Sequence, residues 1–466
     1  MHGQSDRQLP VQDSVPGTRL RYCRLLGRSG ESTGDRVGQT APPQTEAAGP
    51  PESLLRNRNF MLLWAGQSVF EVGTQLSVIA VPVLAATTLG ATALQVSLLT
   101  ALGWLPYLIF SLPAGVVADR VDQRRLMITC DLVRMVLMVS IPAVSTWGTL
   151  TLGYLYAVIG VCGVLTVLFN VAHKSQLPAL VHPDQLLDAN GRFGTTQSAS
   201  ELAGPALAGV LIGAVGGART LIGNGLAFLV SALALWLIRL PQREVTTGEE
   251  PGDGAPVLVA IRQGISFVRH HRILRMILLC TTVSNFFTMG LTSVEIVFMV
   301  RVLHSTPVVI GLLFTLGAVG GFVSGLLAAR VSRWLGSARV IWLSMLLPGP
   351  FYLLMPLARP GWWVLLYAAG TAAFSANIGL FNASATSYRL AVCPSGLLGR
   401  VNATFLWVCY GAIPLGAVTG GLVAAWLGLR GAVLVCVVGI WSAALFVVFS
   451  PLRSMRDVPS GEQPTG

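Results

Sequence analysis

The sequence predicts an all-α integral membrane protein, with twelve transmembrane helices in two pseudo-symmetric halves of six. Three observations carry this. Charged residues are 11% of the 466-residue chain and hydrophobic residues 53%, whereas a soluble domain carries about 25% charged residues. The apolar residues gather into twelve runs, each long enough to cross about 30 Å of hydrocarbon at 1.5 Å per residue. The chain also repeats itself. Residues 168–193 read LFNVAHKSQLPALVHPDQLLDANGRF and residues 380–405 read LFNASATSYRLAVCPSGLLGRVNATF. Asn170 matches Asn382, Pro183 matches Pro394, Leu186-Leu187 match Leu397-Leu398 and, further on, Gly209 matches Gly420, at an offset near 211 residues.

Residues 1–56 are polar and rich in Pro, Gly, Ser and Arg, with no apolar core of a signal peptide. They read as a disordered cytoplasmic tail or as the product of an upstream start codon. The first half, 57–241, holds spans near 60–86, 94–118, 126–146, 149–172, 191–216 and 220–239. The second half, 273–451, holds spans near 274–300, 307–329, 338–358, 361–388, 401–427 and 431–450. All must be helices, because backbone polar groups cannot stay unpaired in lipid. The connection 242–272 begins with turn residues, and Leu258, Ile261, Ile265 and Val268 then recur at helical spacing opposite Arg262 and Arg269. This predicts a basic amphipathic helix on the cytoplasmic leaflet. Residues 452–466 form a second cytoplasmic tail.

Lys and Arg near the span ends set the orientation. Twenty, from Arg56 and Arg58 to Arg453 and Arg456, fall on one side, and four (Arg219, Arg301, Arg359 and Arg430) on the other. The excess predicts a multi-pass protein of the inner, or cytoplasmic, cell membrane with both termini in the cytoplasm. Trp147, Trp362 and Trp363 fall at outer span ends, as interfacial aromatics do. The net charge of +11 would suggest nucleic acid in a soluble protein. Between apolar spans it points to topology and anionic lipid instead, so nucleic acid is not an expected partner.

The seven cysteines form no C-x-x-C pair and the six histidines no H-x-x-x-H spacing, so neither a disulfide framework nor a metal site is expected. No serine elbow, P-loop or dinucleotide fingerprint occurs. No cofactor is expected, and ATP is not the direct energy source.

Ionisable groups inside a bilayer cost several kcal/mol unless paired or protonated, which makes them the best functional candidates. Glu71 lies about 16 Å into the first span, and Glu201 at a similar depth in the fifth. Each could bind a proton or a cationic substrate, or simply hydrogen-bond a neighbouring helix. Asp131 and Arg134 are spaced to form a structural i,i+3 pair. Glu295, with Arg301 beyond it, reads as an interface residue. Trp104, Phe286, Phe287, Phe374, Trp407 and Tyr410 could line an apolar cavity, face lipid or fill the core. Gly204, Pro205 and Gly209 in the fifth span, and Pro414, Gly416, Gly420 and Gly421 in the eleventh, supply bends and close packing at equivalent places in both halves.

The hairpin after the second span reads Gly115-Val-Val-Ala-Asp-Arg-Val-Asp-Gln-Arg-Arg125. It resembles the G-x-x-x-D-R-x-x-R-R loop of the major facilitator superfamily of transporters. Gly115, Asp119 and Arg120 fall in place, and the basic pair is displaced by one position to Arg124 and Arg125. The counterpart in the second half has Ala329 where the Asp would stand. The resemblance spans about residues 57–451. The phrases ALQVSLLTALGWLPYLIFSLPAGVVADR and LLGRVNATF resemble most the bacterial efflux branch with enterobactin and macrolide exporters.

The resemblance implies a substrate site near the midplane, where Glu71 and Glu201 are placed. It also implies a Gly-Pro hinge or proton seal in the fifth helix, and a cytoplasmic latch in which Asp119 meets the start of helix 11, with Arg400 the natural partner. The expected protein is then a monomeric secondary active exporter of a small, largely apolar organic molecule, driven by proton antiport and alternating access. An importer of the same fold for sugars or peptides, a membrane acyltransferase and a non-transporting sensor or scaffold are the alternatives.

Overall fold

The computed structural model describes residues 54–238 and 257–457. The chain before residue 54, and with it most of the N-terminal tail, lies outside the described residues. So do residues 239–256 and 458–466. The last three residues assigned to the tail, 54–56, form a turn in which Leu54 is buried against the first helix.

Long helices account for nearly everything described. The first half consists of α1 (Arg58–Thr87), α2 (Ala93–Arg120), α3 (Gln123–Thr146), α4 (Leu152–Leu180), α5 (Leu186–Val215) and α6 (Gly217–Leu237). A shorter α7 (Val257–His270) precedes α8 (Arg272–Arg301), α9 (Pro307–Leu335), α10 (Ser337–Leu346), α11 (Gly349–Tyr352) and α12 (Leu354–Leu357). Then come α13 (Leu365–Val392), α14 (Ser395–Ser442) and α15 (Ala444–Val448). Among the described residues eleven segments are long and apolar enough to cross a membrane, and the last of them, Leu397–Val448, covers two of the expected spans.

Polar residues at the ends explain where the helices start. Asn57 accepts from the backbone N–H groups of Asn59 and Phe60 at 3.1 Å. Thr92 and Gln95 form a capping box ahead of α2. Thr306 caps α9 and is followed by Pro307, whose missing N–H costs nothing in the first turn. Single glycines with positive φ form three of the joints, one of them Gly336 (φ 94°) between α9 and α10. Gly216 (φ 87°) links α5 to α6, and Gly428 (φ 73°) breaks α14 into two spans at the equivalent place in the second half. A side chain there would clash with the following carbonyl.

The ninth span departs from the straight helix expected over 338–358. Pro348, Pro350 and Pro356 remove backbone donors, and the chain breaks into α10, α11 and α12. The Trp441 indole packs on Gly349, where a Cβ would come within 1.9 Å of Cδ1. Its Nε1 donates to Leu346 O at 3.1 Å, satisfying a carbonyl at the break.

Large apolar side chains are exposed along the outer faces of the bundle, among them Val136, Leu226, Leu326 and Leu415, where a soluble protein would carry charge. Trp147, Trp362 and Trp363 are exposed near helix ends. The interior is mostly apolar, with one buried ion pair among the described residues. Arg134 donates to Asp131 on the same helix and to Thr166 Oγ1 of α4 at 3.2 Å. Its guanidinium lies 4.6 Å from the ring centroids of Phe169 and Phe228 and 5.2 Å from that of Phe70. The cage ties α1, α3, α4 and α6 together. Cys130, Cys162, Cys280, Cys393, Cys409 and Cys436 are free and buried.

Candidate functional site

A cavity of about 520 Å³ lies between the halves. The first half contributes its polar groups: Gln67 and Glu71 from α1, Trp104 and Tyr107 from α2, Asn170, His173 and Lys174 from α4, and Phe193, Thr196 and Gln197 from α5. The second half contributes Ala403, Leu406, Trp407 and Tyr410, all from α14. The wall is thus electrostatically lopsided, with the ionisable side chains on one half and an apolar, aromatic face on the other.

At the centre is an aromatic group. Trp104 and Tyr107 have ring centroids 5.3 Å apart, Trp104 and Tyr410 6.2 Å, and Tyr107 and Tyr410 5.8 Å. Asn170 Nδ2 donates to Tyr107 Oη at 2.6 Å, which fixes the phenol. Gln67 Nε2 donates to Glu71 Oε1 at 3.0 Å, and Gln197 Nε2 donates to Glu201 Oε1 at 3.0 Å. Glu71 is half-buried on the wall, and Glu201 is exposed next to it, one turn beyond Gln197.

The lining residues fall toward the ends of α1, α4, α5 and α14 that carry Arg58, Lys174, Arg192 and Arg400, so the cavity reaches toward the basic end of the bundle. The halves meet at the other end. Ser97 Oγ of α2 donates to Ser293 Oγ of α8 at 3.0 Å. Arg301 Nη2 donates to Ala91 O at 2.7 Å. A Cβ on Gly209 of α5 would lie 2.5 Å from Pro307 O and 3.1 Å from Gly311 Cα of α9. One on Gly421 would lie 2.7 Å from Ser97 Cβ.

The other candidates fall as follows. Gly204 meets Gln75 of α1, Pro205 O faces Gly311, Gly416 packs on the Phe286 carbonyl and Gly420 on Gly290. Pro414 lies within α14. Phe286 and Phe287 pack edge to face on α8 and Phe374 against Tyr352, so none of the three lines the cavity. Glu295 is not an interface residue. It is buried and accepts from Tyr367 Oη at 3.1 Å, because its side of α8 faces α13 while Arg301 turns to the carbonyls of Gly90 and Ala91.

In the basic hairpin, α2 runs through Gly115 and Asp119 to Arg120, whose side chains lie outside the described set. Arg124 Nε donates to Leu235 O at 2.8 Å and its Nη2 to Trp236 O, closing the end of α6. Arg125 forms an exposed ion pair with Asp122 at 3.4 Å. Arg400 donates to Gln263 of α7, and the side chain of Asp119, its expected partner, lies outside the described set. Gly264 and Val268 of α7 are buried against protein, while Ile265 remains exposed. Among the described residues no three His, Cys, Asp or Glu side chains could hold a metal together.

Residues 50–464 match the family model described as transmembrane secretion effector. The chain belongs to this family of major facilitator transporters. The transporter is 27% identical to the uncharacterized MFS-type transporter YfiS of Bacillus subtilis, over 82% of its own length and 91% of that protein's. It is 22% identical to macrolide efflux protein A of Streptococcus pyogenes, over 81% and 94%. To the multidrug efflux pump Tap of Mycolicibacterium fortuitum it is 25% identical, over 83% and 94%. Among solved structures, it shares its fold with a bacterial homologue of the human lysosomal transporter Spinster in an inward-facing, unoccupied conformation. That match has a TM-score of 0.66 at 16% identity, over 88% of this chain and 99% of the other. A bacterial homologue of the iron transporter ferroportin, also inward-facing, matches with a TM-score of 0.63 at 16% identity, over 84% and 98%. The transporter is a multi-pass membrane protein and not an enzyme.

Proposed function

We propose that this transporter exports a small, largely apolar organic molecule across the cell membrane by proton antiport and alternating access, with both termini in the cytoplasm. The observation that carries the reading is the cavity itself. One carboxylate, Glu71, stands in a largely aromatic, aliphatic and amide-lined wall, with His173 and Lys174 as its basic side chains, that reaches toward the basic end of the bundle. With the basic end cytoplasmic, the cavity is positioned to load from inside the cell, while the seams at Ser97–Ser293 and Gly209–Gly311 keep the outer side closed. The aromatic rings supply apolar contact for a drug-sized molecule. The carboxylate gives a proton somewhere to be held in one state and released in another. The names of the macrolide and multidrug efflux relatives support the same direction and substrate type.

The test is expression in an efflux-deficient bacterial host, screened against antibiotics, siderophores and dyes. Reduced accumulation of at least one compound, lost when the pH gradient is collapsed, is expected. Increased accumulation instead would reverse the assigned direction, and export that survives collapse of the pH gradient would remove proton coupling.

A further inference from the structure

The chain carries 31 basic residues, and only one of them is a lysine. That lysine, Lys174, lies on the wall of the cavity, as does Glu71. Asn57 Nδ2 donates to Leu180 O at 3.1 Å, which sets the start of α1 beside the end of α4 and gives the two charges a common reference level. Lys174 comes six residues before Leu180, and Glu71 fourteen residues after Asn57. At 1.5 Å per residue the first is about 9 Å and the second about 21 Å from that end, roughly 12 Å apart along the bundle. Asn170, ten residues before Leu180, falls between them. There it holds the Tyr107 hydroxyl, and with it the cluster of Tyr107, Trp104 and Tyr410. The cavity thus has an order: an ammonium group toward the mouth, an aromatic layer, then a carboxylate.

Among the described residues neither Lys174 nor Glu71 is in a salt bridge. Other basic groups at this end are engaged. Arg192 pairs with Asp188 at 3.3 Å, Arg389 donates to Thr386 Oγ1 at 3.0 Å and Arg400 donates to Gln263. His173, the second basic side chain of the wall, is taken up by ring contacts, stacked on Phe169 at 6.1 Å and edge to face with Phe193 at 5.5 Å. Lys174 is exposed. An arginine would present a planar fork, whereas a lysine carries a compact charge on a flexible stem that can follow an arriving group. Gln67 donates to one Glu71 oxygen at 3.0 Å and orients the carboxylate.

We propose that the cavity recognises a dipolar organic molecule, with an acidic group held by Lys174 at the mouth, a flat apolar body among the rings and a basic group toward Glu71. The proposal rests on the export reading above and names the substrate class. A wall with one charge of each sign has a field that runs along the bundle axis. A molecule with a single charge satisfies one end and leaves the other without a partner in a partly desolvated space. A molecule with opposite charges at its two ends satisfies both. Lys174 sets which molecules bind, and the choice it makes is independent of how their transport is powered.

The experiment uses the full chain in detergent near neutral pH, with three forms of one fluoroquinolone as probes. Ciprofloxacin carries an ammonium and a carboxylate at opposite ends of a planar ring system. Its ethyl ester keeps only the ammonium, and its N-acetyl derivative keeps only the carboxylate. Binding is followed by quenching of tryptophan fluorescence. The dipolar form is expected to bind about fivefold tighter than either of the others, the upper end of what an ion pair open to water supplies. Lys174→Gln should bring ciprofloxacin and its ethyl ester to the same affinity, and Lys174→Arg should retain most of the preference. Glu71→Gln should likewise bring ciprofloxacin level with the N-acetyl form. Acetylation of Lys174 with an amine-selective reagent, read by peptide mass, is a second measurement on the wild type. Ciprofloxacin should slow it and the ethyl ester should not. Equal affinities in the wild type, no binding of any of the three, or a preference unchanged in Lys174→Gln overturns the proposal. If Lys174→Gln fails to fold, acetylation that ciprofloxacin does not slow overturns it equally. The expected binding pattern in a protein that does not export in cells would leave the dipolar site standing and remove the export reading. Export in cells without the binding pattern would do the opposite.

Discussion

Gly209→Ala tests whether the closed end of the bundle is held by backbone contact between the halves. A methyl group at Gly209 would lie 2.5 Å from Pro307 O, 3.1 Å from Gly311 Cα and 3.2 Å from Val308 Cα. All three are backbone atoms and cannot swing away. Ordinary contact begins near 3.4 Å, so α5 and α9 must separate locally by about 0.9 Å, enough to spoil close helix packing. Overpacking of this kind costs about 1–3 kcal/mol. That cost falls on the closed seam alone, so the equilibrium should shift roughly 5- to 150-fold toward the state in which this end is open. Spin labels at Thr88→Cys and Arg359→Cys, both exposed at this end on opposite halves, should show a longer distance component by pulsed electron resonance. Gly213→Ala is the control, because its methyl would meet only the movable Val308 Cγ2, at 3.0 Å. An unchanged distance distribution in Gly209→Ala, with normal transport, would refute the reasoning.

Asp131→Asn should lower the yield and melting temperature of the folded protein, because it strands the Arg134 charge in a site 1% exposed; breaking a buried pair costs about 3–5 kcal/mol. Replacing both, as Asp131→Leu with Arg134→Met, should recover much of that loss. Arg124→Lys should reduce thermal stability more than Arg125→Lys does, since one ammonium cannot reproduce the donation from Nε and Nη2 to two α6 carbonyls, whereas Arg125 holds an exposed pair. Gly264→Val should raise α7 from α14, where a Cβ would already lie 2.4 Å from Arg400 O. Transport rates in proteoliposomes should change while substrate affinity stays near wild type, and equal rates would deny α7 any influence on α14.

The membrane fold was legible because it depends on bulk properties. Apolar runs, Arg and Lys asymmetry and a repeat offset survive without any knowledge of which way a helix is turned. Glu71 stood out for the same reason, as a charge in a run that otherwise has none. What the sequence hid is rotational. Glu295 and Arg301 are close in sequence, yet one turns inward to Tyr367 and the other to the carbonyls of Gly90 and Ala91. Tyr107 and Asn170 are unremarkable in a list of residues and become cavity wall only once α2 and α4 pack. Two signals were readable and carried more than was drawn from them. One is the repeated Gln-Ser-x-x-Glu in α1 and α5, and the other the three prolines that divide the ninth span. The docking of α7 on α14 could not be foreseen, because an amphipathic pattern states that a face will be covered without saying by what.

Helix α14 behaves as a lever. It crosses α8 where Gly416 lies on the Phe286 carbonyl and Gly420 on Gly290, contacts with no side chain to act as a cushion. That crossing is the pivot. From there the arm toward Ser395 is about 30 Å long and the arm toward Gly428 about 12 Å, at 1.5 Å per residue. A displacement at the Gly428 end is therefore multiplied about two and a half times at the basic end. The long arm carries Trp407 and Tyr410 on the cavity wall, and its tip bears Arg400, held by Gln263. A grip of α7 on that tip has the mechanical advantage of a brake at the rim of a wheel, where a weak hold resists a large torque at the hub.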